Sequence, residues 1–283
     1  MKLLRVGPRK AERPAVLDSA GVARDVSSIV NDFTPETIGP DLLAKLKAAD
    51  LAKLPALSAS ERIGSPISRT GHFICIGLNY ADHAAETGAA IPSEPIIFSK
   101  APSALQGPND DVMLPKGSVK SDWEVELAVV IGKAAEYVSE AEALSHVLGY
   151  AICNDMSERE YQIERGGQWI KGKSAPTFGP LGPWLVTPDE VKDVQNLAME
   201  LDLNGQPAQR GSTKTMIFGV AHLISYTSRF MRLEPGDVIT TGTPPGVGMG
   251  RKPPLYLKTG DTMRLSIAGL GEQRQKVVAH HTA

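Results

Sequence analysis

Cysteine is nearly absent from this chain, with Cys75 and Cys153 the only two among 283 residues. Both sit in apolar, strand-like stretches. That pattern excludes a disulfide scaffold and predicts reduced, buried thiols, which fits a cytoplasmic setting. An excess of charge of either sign is missing too. With 30 Lys and Arg against 32 Asp and Glu the formal net charge is −2, so no basic field exists to recruit nucleic acid or anionic lipid. No apolar run approaches the roughly 20 residues of a membrane span. The opening MKLLRVGPRKAERP has no apolar stretch of the kind that marks a secretory signal. Aromatic residues are only 5% of the chain, against 27 Gly and 21 Pro, which predicts many turns and a β-rich fold.

What is present divides into two units. Residues 1–70 read as a small leading domain with short strands at 3–6 and 15–17, a helix over 40–51 and a Pro/Ser/Gly-rich linker over 54–70. Residues 71–283 read as the larger unit. Strands are expected at 72–78, 95–99, 122–132, 150–154, 181–186, 198–203 and 238–241. Asn204-Gly205 is a hairpin signal, and a second hairpin is expected around Gly269–Gly271. Two capping boxes, Ser139 to Glu142 and Ser157 to Glu160, predict helices, the first closed by Gly149 and the second by Gly166-Gly167. A further helix is expected over 220–230. Many short strands with few helices argue for an α+β, mainly β fold of barrel or roll type rather than alternating βαβ units.

The stretch 122–132, DWEVELAVVIG, carries the most chemistry. Alternation on a strand puts Asp122, Glu124 and Glu126 on one face, at the mouth of an apolar core. Read plainly, this is a solvated strand face; read chemically, carboxylates in that position need a cation, and a hard divalent ion takes such oxygen ligands. Asp155 ends another apolar strand and is either a helix-initiating residue or a further oxygen ligand. Arg159 and Gln162, three apart, share one helix face and suit a substrate carboxylate, or else form surface pairs with Glu158 and Glu160. His83 and Glu86, also three apart, form either a surface pair or a general base with its orienting carboxylate. Lys173 in KGKS lacks a full phosphate-loop pattern, so nucleotide binding is rejected; a solvated loop or a lysine polarising a carbonyl remain. Thr243, in TTGTPPGVG, offers a hydroxyl and a backbone N–H where glycines allow close approach, or simply belongs to a tight turn.

Seven segments together resemble the fumarylacetoacetate hydrolase family: GLNYADHAAE (77–86), DWEVELAVVIGK (122–133), GYAICNDMSERE (149–160), WIKGKS (169–174), NGQPAQRGST (204–213), MIFGVAHLISYTS (216–228) and LEPGDVITTGTPPGVG (233–248). They occur in family order through the larger unit. The resemblance implies a β-roll for residues 71–283 with a small α+β leading domain, assembled as a homodimer. It implies that Glu124, Glu126 and Asp155 hold Mg²⁺, with Mn²⁺ or Ca²⁺ able to substitute. It also implies that His83 and Glu86 activate water, that Lys173 is an active-site lysine, and that Arg159, Gln162 and Thr243 contact substrate. Phe73–Leu78 contains no acid where the animal enzyme carries an extra ligand, which favours a three-carboxylate site. Asp122 has no clear role in the family pattern.

The family acts on α-keto acids with a second carbonyl at C4. The resemblance therefore implies hydrolysis of an acylpyruvate to pyruvate and a second acid. It is closest to enzymes acting on 2,4-diketo-3-deoxy sugar acids such as L-2,4-diketo-3-deoxyrhamnonate or -fuconate. The competing activities are isomerase, decarboxylase or hydratase chemistry, as in 5-carboxymethyl-2-hydroxymuconate isomerase, and ureidoglycolate lyase. A non-catalytic binding protein is a third reading, and no loss of a metal carboxylate or of Lys173 supports it. A second substrate carboxylate would need its own cation, for which Lys100, Arg165, Lys116 and Lys120 are candidates. Residues 87–95, with Gly88, are a candidate lid.

Overall fold

The structure is a computed structural model describing residues 1–281, the side chain of Thr87 excepted. It is mainly β, built on an eleven-stranded mixed sheet and a five-stranded second sheet. The central strand Val125–Ile131 is buried throughout. Alternation sends Val125, Leu127, Val129 and Ile131 into the core shared with the second sheet and the helix Val220–Thr227. It sends Ala128 and Val130 into a core closed by the N-terminal helix Pro40–Ala48 through Leu42 and Leu46. A strand covered on both faces reads as a continuous apolar run, which is why residues 127–131 carry no polar side chain.

Val125–Ile131 is flanked antiparallel by Val147–Asn154 and Val238–Thr240, and Val238–Thr240 runs parallel to Phe73–Gly77. Three strands therefore end, and the central strand begins, at the same rim of the sheet. Glu124 and Glu126 stand at the start of the central strand there, and the segments leaving the rim carry His83, Glu86, Asp155, Arg159 and Thr243. The sheet path is open, from Ala23–Asp25 at one edge to Ile96–Lys100 at the other, so no closed barrel occurs among the described residues.

Residues 1–70 do not stand apart from this sheet. Lys2–Val6 pairs with Gly179–Val186, and Arg13–Leu17 and Ala23–Asp25 extend the same sheet outward. The Asn204-Gly205 hairpin forms as expected between Ala198–Leu203 and Gln206–Ser212, with φ of 52° and 75° at its two turn residues.

Three local expectations need correction. The strand expected over 122–132 is broken: Ser121–Asp122 pairs with Ser157–Glu158 in a small separate sheet, and the long strand starts only at Val125. The box at Ser157 does not open a helix. The Ser157 hydroxyl donates back to the Asp155 carbonyl at 3.0 Å, and a π-helical turn follows at Glu160–Glu164. The helix after Ser139 is only Glu140–Ala143 plus a 3-10 turn, and Gly149 lies inside the strand Val147–Asn154. A Cβ there would stand 2.6 Å from the Val186 carbonyl oxygen, so this glycine admits a neighbouring strand rather than ending a helix.

Candidate metal centre and active site

At the rim, Glu124, Glu126 and Asp155 converge, with carboxylate oxygens within 4.8 Å of one another and all three residues buried. Strand pairing explains the meeting. Val125 sits opposite Asn154 and Glu126 opposite Cys153, and the Asp155 N–H donates to the Glu124 carbonyl at 2.9 Å. Three cations surround the carboxylates. Lys173 Nζ lies 2.7 Å from both Glu124 and Asp155. Lys100 Nζ bonds Asp155 from the other side and donates to the Met156 carbonyl at 3.0 Å. Arg159 Nη2 is 2.7 Å from Glu124.

The two glutamates respond oppositely to this setting. Burial alone would raise the pKa of Glu124, but Lys173 and Arg159 outweigh it and hold the carboxyl at about 2. Burial pushes Glu126 well above the ordinary carboxylate range, and the charges of Asp155 and Glu124 push it further. The Gly242 N–H donates to Glu126 at 2.9 Å without cancelling that effect. Burial works against the charge on Lys173, but Asp155 and Glu124 more than offset it and keep the ammonium protonated.

This arrangement fits a hard divalent cation. The donor set is all oxygen. Counted as formal charges, Asp122, Glu124, Glu126 and Asp155 meet Arg159, Lys173 and Lys100 among the described residues, which leaves one negative charge in excess. A divalent ion would reverse that excess to one positive charge, which an α-keto monocarboxylate would cancel.

Glu124 and Glu126 of the triad open on a cavity of ≈ 200 Å³ lined also by His83, Arg159, Gln162, Lys173 and Thr243. That volume is below the roughly 300–1,000 Å³ usual for drug-sized ligands and suits a small acid. The remaining lining is apolar: Ile76, Leu78, Phe98, Ile163, Trp169 and Met249. His83 Nδ1 lies 3.1 Å from Glu86 Oε2, and the Gly246 N–H holds Glu86 Oε1 at 3.0 Å. Both residues come from the helix Ala81–Thr87, where a spacing of three puts them on one face. Arg159 Nη1 donates to Gln162 Oε1 at 3.0 Å, which joins the two on the cavity wall.

Lys173 sits on the short helix Ile170–Lys173, not on a solvated loop. Its Gly172 is needed for packing, since a Cβ there would lie 2.4 Å from the Glu158 carbonyl oxygen and 2.6 Å from Gln162. The lysine Nζ also lies 5.2 Å from the Phe98 ring centroid, a cation–π contact that helps to hold a buried ammonium.

Two expectations change at this point. The Thr243 hydroxyl donates to the Val125 carbonyl at 2.9 Å and accepts from Gln209 at 2.8 Å, so its proton is committed to pinning the turn rather than offered to a ligand. Lys100, a candidate for a distal carboxylate, lies behind the triad on Asp155. Arg165 pairs with Glu160 and Lys120 with Glu164, and neither these two nor Lys116 lines the cavity. Sequence reasoning missed the role of Lys100 because its partner is 55 positions away. The change from apolar Ile96–Phe98 to Ser99-Lys100 at the end of one strand was the available signal. Cys75 and Cys153 are free and buried, and burial first of all raises both thiol pKa values, so they are inert core residues.

The family model described as "Fumarylacetoacetate (FAA) hydrolase C-terminal" matches residues 72–278. The chain belongs to the fumarylacetoacetate hydrolase family. A protein of Burkholderia orbicola (strain MC0-3) named "Putative hydrolase" is 58% identical over 98% of both chains. The fumarylacetoacetate hydrolase of the psychrophile Exiguobacterium antarcticum superposes with a TM-score of 0.86 at 36% identity, over 99% of this chain and 100% of that one. A maleylpyruvate hydrolase from Sphingobium sp. SYK-6, solved with manganese(II) and pyruvate, gives a TM-score of 0.83 at 29% identity over 99% and 100%. A 5-carboxymethyl-2-hydroxymuconate delta-isomerase from Mycobacterium smegmatis gives 0.78 at 32% identity over 100% of both chains. Hydrolases and isomerases thus share this fold, and the reaction has to be argued from the site.

Proposed function

We propose that this protein hydrolyses the C3–C4 bond of a 2,4-diketo acid to release pyruvate. The observation that carries the reading is that one small cavity is lined both by Glu124 and Glu126 of the acidic triad and by His83, whose ring is held by Glu86. Glu124, Glu126 and Asp155 would hold Mg²⁺, with Mn²⁺ or Ca²⁺ able to substitute, and that ion would supply Lewis-acid polarisation of the α-keto acid.

The protein's own groups do the rest. Arg159 and Gln162 hold substrate oxygens against the cavity wall. Glu86 fixes the His83 ring, and His83 takes a proton from water. The water oxygen bonds to C4, the C3–C4 bond breaks, and its electron pair passes to C3 as the pyruvate enolate. Lys173 offsets the enolate charge. The proton held by His83 returns to C3, giving pyruvate and a second acid with atoms and charge balanced.

Within this class we favour a 2,4-diketo-3-deoxy sugar acid such as L-2,4-diketo-3-deoxyrhamnonate or -fuconate, giving a hydroxy acid such as lactate. A single substrate carboxylate is supported by the lining, whose two long cations, Arg159 and Lys173, are both engaged at the triad end. The alternative, isomerisation in the manner of the 5-carboxymethyl-2-hydroxymuconate enzymes, draws support from the similar isomerase structure. Enolisation alone needs no water-activating base, so the His83–Glu86 pair favours hydrolysis. Pyruvate release from a panel of 2,4-diketo acids, with and without EDTA, is the test. No pyruvate from any member would sink the hydrolase, and EDTA-insensitive release would sink the metal.

The proposal includes a cytoplasmic location and a homodimer, the dimer supported by the exposed aromatic side chains Tyr137 and Phe230, which are 75% and 62% exposed. A monomer in sedimentation analysis would remove the dimer. No helix among the described residues is long and apolar enough to cross a membrane.

A further inference from the structure

Asp122 is fully buried and belongs to no part of the mechanism above. Both of its oxygens are occupied. Oδ1 accepts from the Gly248 N–H at 2.7 Å and from its neighbour Trp123 N–H at 2.8 Å. Oδ2 accepts from Arg159 Nε at 2.8 Å and from the Met249 N–H at 3.0 Å, and it lies 2.8 Å from Arg159 Nη2. A carboxylate already receiving this many donors has no capacity left for a cation. The turn that supplies two of them is built to approach closely, since a Cβ on Gly248 would lie 2.8 Å from Asp122 Oδ1 and 1.9 Å from the Leu255 carbonyl oxygen.

That same turn holds two other acids. Its Gly242 N–H bonds Glu126, and its Gly246 N–H bonds Glu86. Its backbone amides thus grip one carboxylate of the triad, the carboxylate that orients His83, and the carboxylate that orients Arg159. We propose that Asp122 is a positioning residue that locks Arg159 and residues 242–250 into one unit, so that the guanidinium on the cavity wall and the His83–Glu86 pair share a common frame. The kinetic arm of this proposal rests on the hydrolase reading, whereas the binding and exchange arms do not.

The test is Asp122→Asn, which keeps the shape and an amide-accepting oxygen but loses the charge that holds Arg159. A displacement of about 1 Å in such a frame costs on the order of 100-fold, so turnover in pyruvate release should fall by roughly 10- to 100-fold. Mn²⁺ affinity without substrate should stay within about 3-fold, a small shift next to the tenfold that each 1.4 kcal/mol represents. Oxalate, a mimic of the pyruvate enolate, should bind the Mn²⁺-loaded variant about tenfold more weakly. Asp122→Asn combined with Arg159→Lys should lose less than the product of the two single effects, because both act on one contact.

A merely structural role would multiply with the arginine change and would lower Mn²⁺ affinity in parallel with turnover; either result overturns the proposal, as does unchanged oxalate binding. Should Asp122→Asn fail to fold, Arg159→Lys alone should speed hydrogen exchange at the amides of residues 246–249 in the metal-free protein. Unchanged exchange there would refute the coupling. If wild-type protein releases no pyruvate from any diketo acid, the hydrolase reading fails while the oxalate and exchange results still decide the role of Asp122.

Discussion

The charge cluster that ties the N-terminal strands to the core and the cluster at the sheet rim are made of the same kinds of side chain. In the first, Arg5, Arg9 and Arg62 meet Glu12, Asp32 and Asp110, three cations with three acids in alternation. Arg62 forks onto Asp110 at 2.7 and 2.6 Å and reaches Glu12 at 2.8 Å. Burial raises the pKa of both Glu12 and Asp110, and Arg62 outweighs it, so both are lowered. In the second, four acids meet three cations, three of the acids face one another, and Glu126 is driven up. Alternating charges staple two segments together. Like charges gathered out of water are not a stapling arrangement, because each adds to the cost of the next; their all-oxygen donor set fits a divalent cation.

Four expected outcomes break or sharpen this contrast. The largest is His83→Ala, which should cost roughly 10²- to 10⁴-fold in turnover, about 3–5 kcal/mol of barrier, and leave Mn²⁺ affinity unchanged. Steady-state pyruvate release with a parallel Mn²⁺ titration checks it, and unchanged turnover would remove the proposed base. The second concerns Glu126→Gln. Magnesium at about 100 times its Kd should stabilise the wild-type fold by about 2.7 kcal/mol and the variant by almost nothing, read as the shift in melting temperature on adding EDTA.

The third outcome belongs to the other cluster. Arg62→Met strands two acids that are little exposed and should destabilise the fold by about 2 kcal/mol, with no change in metal affinity. The pH dependence gives it a sign. Glu12 and Asp110 have folded pKa values below their ordinary ones, so the stability they contribute is complete above those ordinary values and fades as pH falls through the folded ones. In Arg62→Met that acid-side loss should shrink, as denaturant midpoints between pH 3 and 7 would reveal. The smallest outcome is at residues 87–95, where Gly88 has a φ of 68° and Ala89 lines the cavity. If this segment closes over the site, oxalate with Mg²⁺ should slow its proteolysis several-fold, and equal rates would discard the lid.

The legible parts of this molecule were those in which a local pattern has one physical meaning. Ala198–Leu203 and the Asn204-Gly205 turn could be read because alternation and a left-handed turn pair are local. The apolar run of the central strand could be read for the same reason. Glu124, Glu126 and Asp155 were legible as a set only through the order of the motifs, since nothing in their spacing brings residue 155 to residue 124. Asp122 misled because alternation assumes an unbroken strand, and the chain changes sheet at Trp123-Glu124. Ser157 misled because a capping box records only the donors and acceptors nearby, whereas the neighbouring Glu158 carboxylate is held by Ser118, by Ser121 and by the Lys120 N–H in the facing segment. Lys100 was legible as a cation but not as the counter-charge to Asp155, because that depends on which strands are neighbours.

The central claim is that the rim cluster is unbalanced because a divalent ion completes it. Titration of the metal-free protein with Mn²⁺, followed by calorimetry and by loss of the free-ion electron paramagnetic resonance signal, tests this directly. The account predicts one ion per chain in the wild-type protein, tighter binding when oxalate is present, and no site in Glu126→Gln. Equal binding by the wild type and the variant, or none by either, would contradict it.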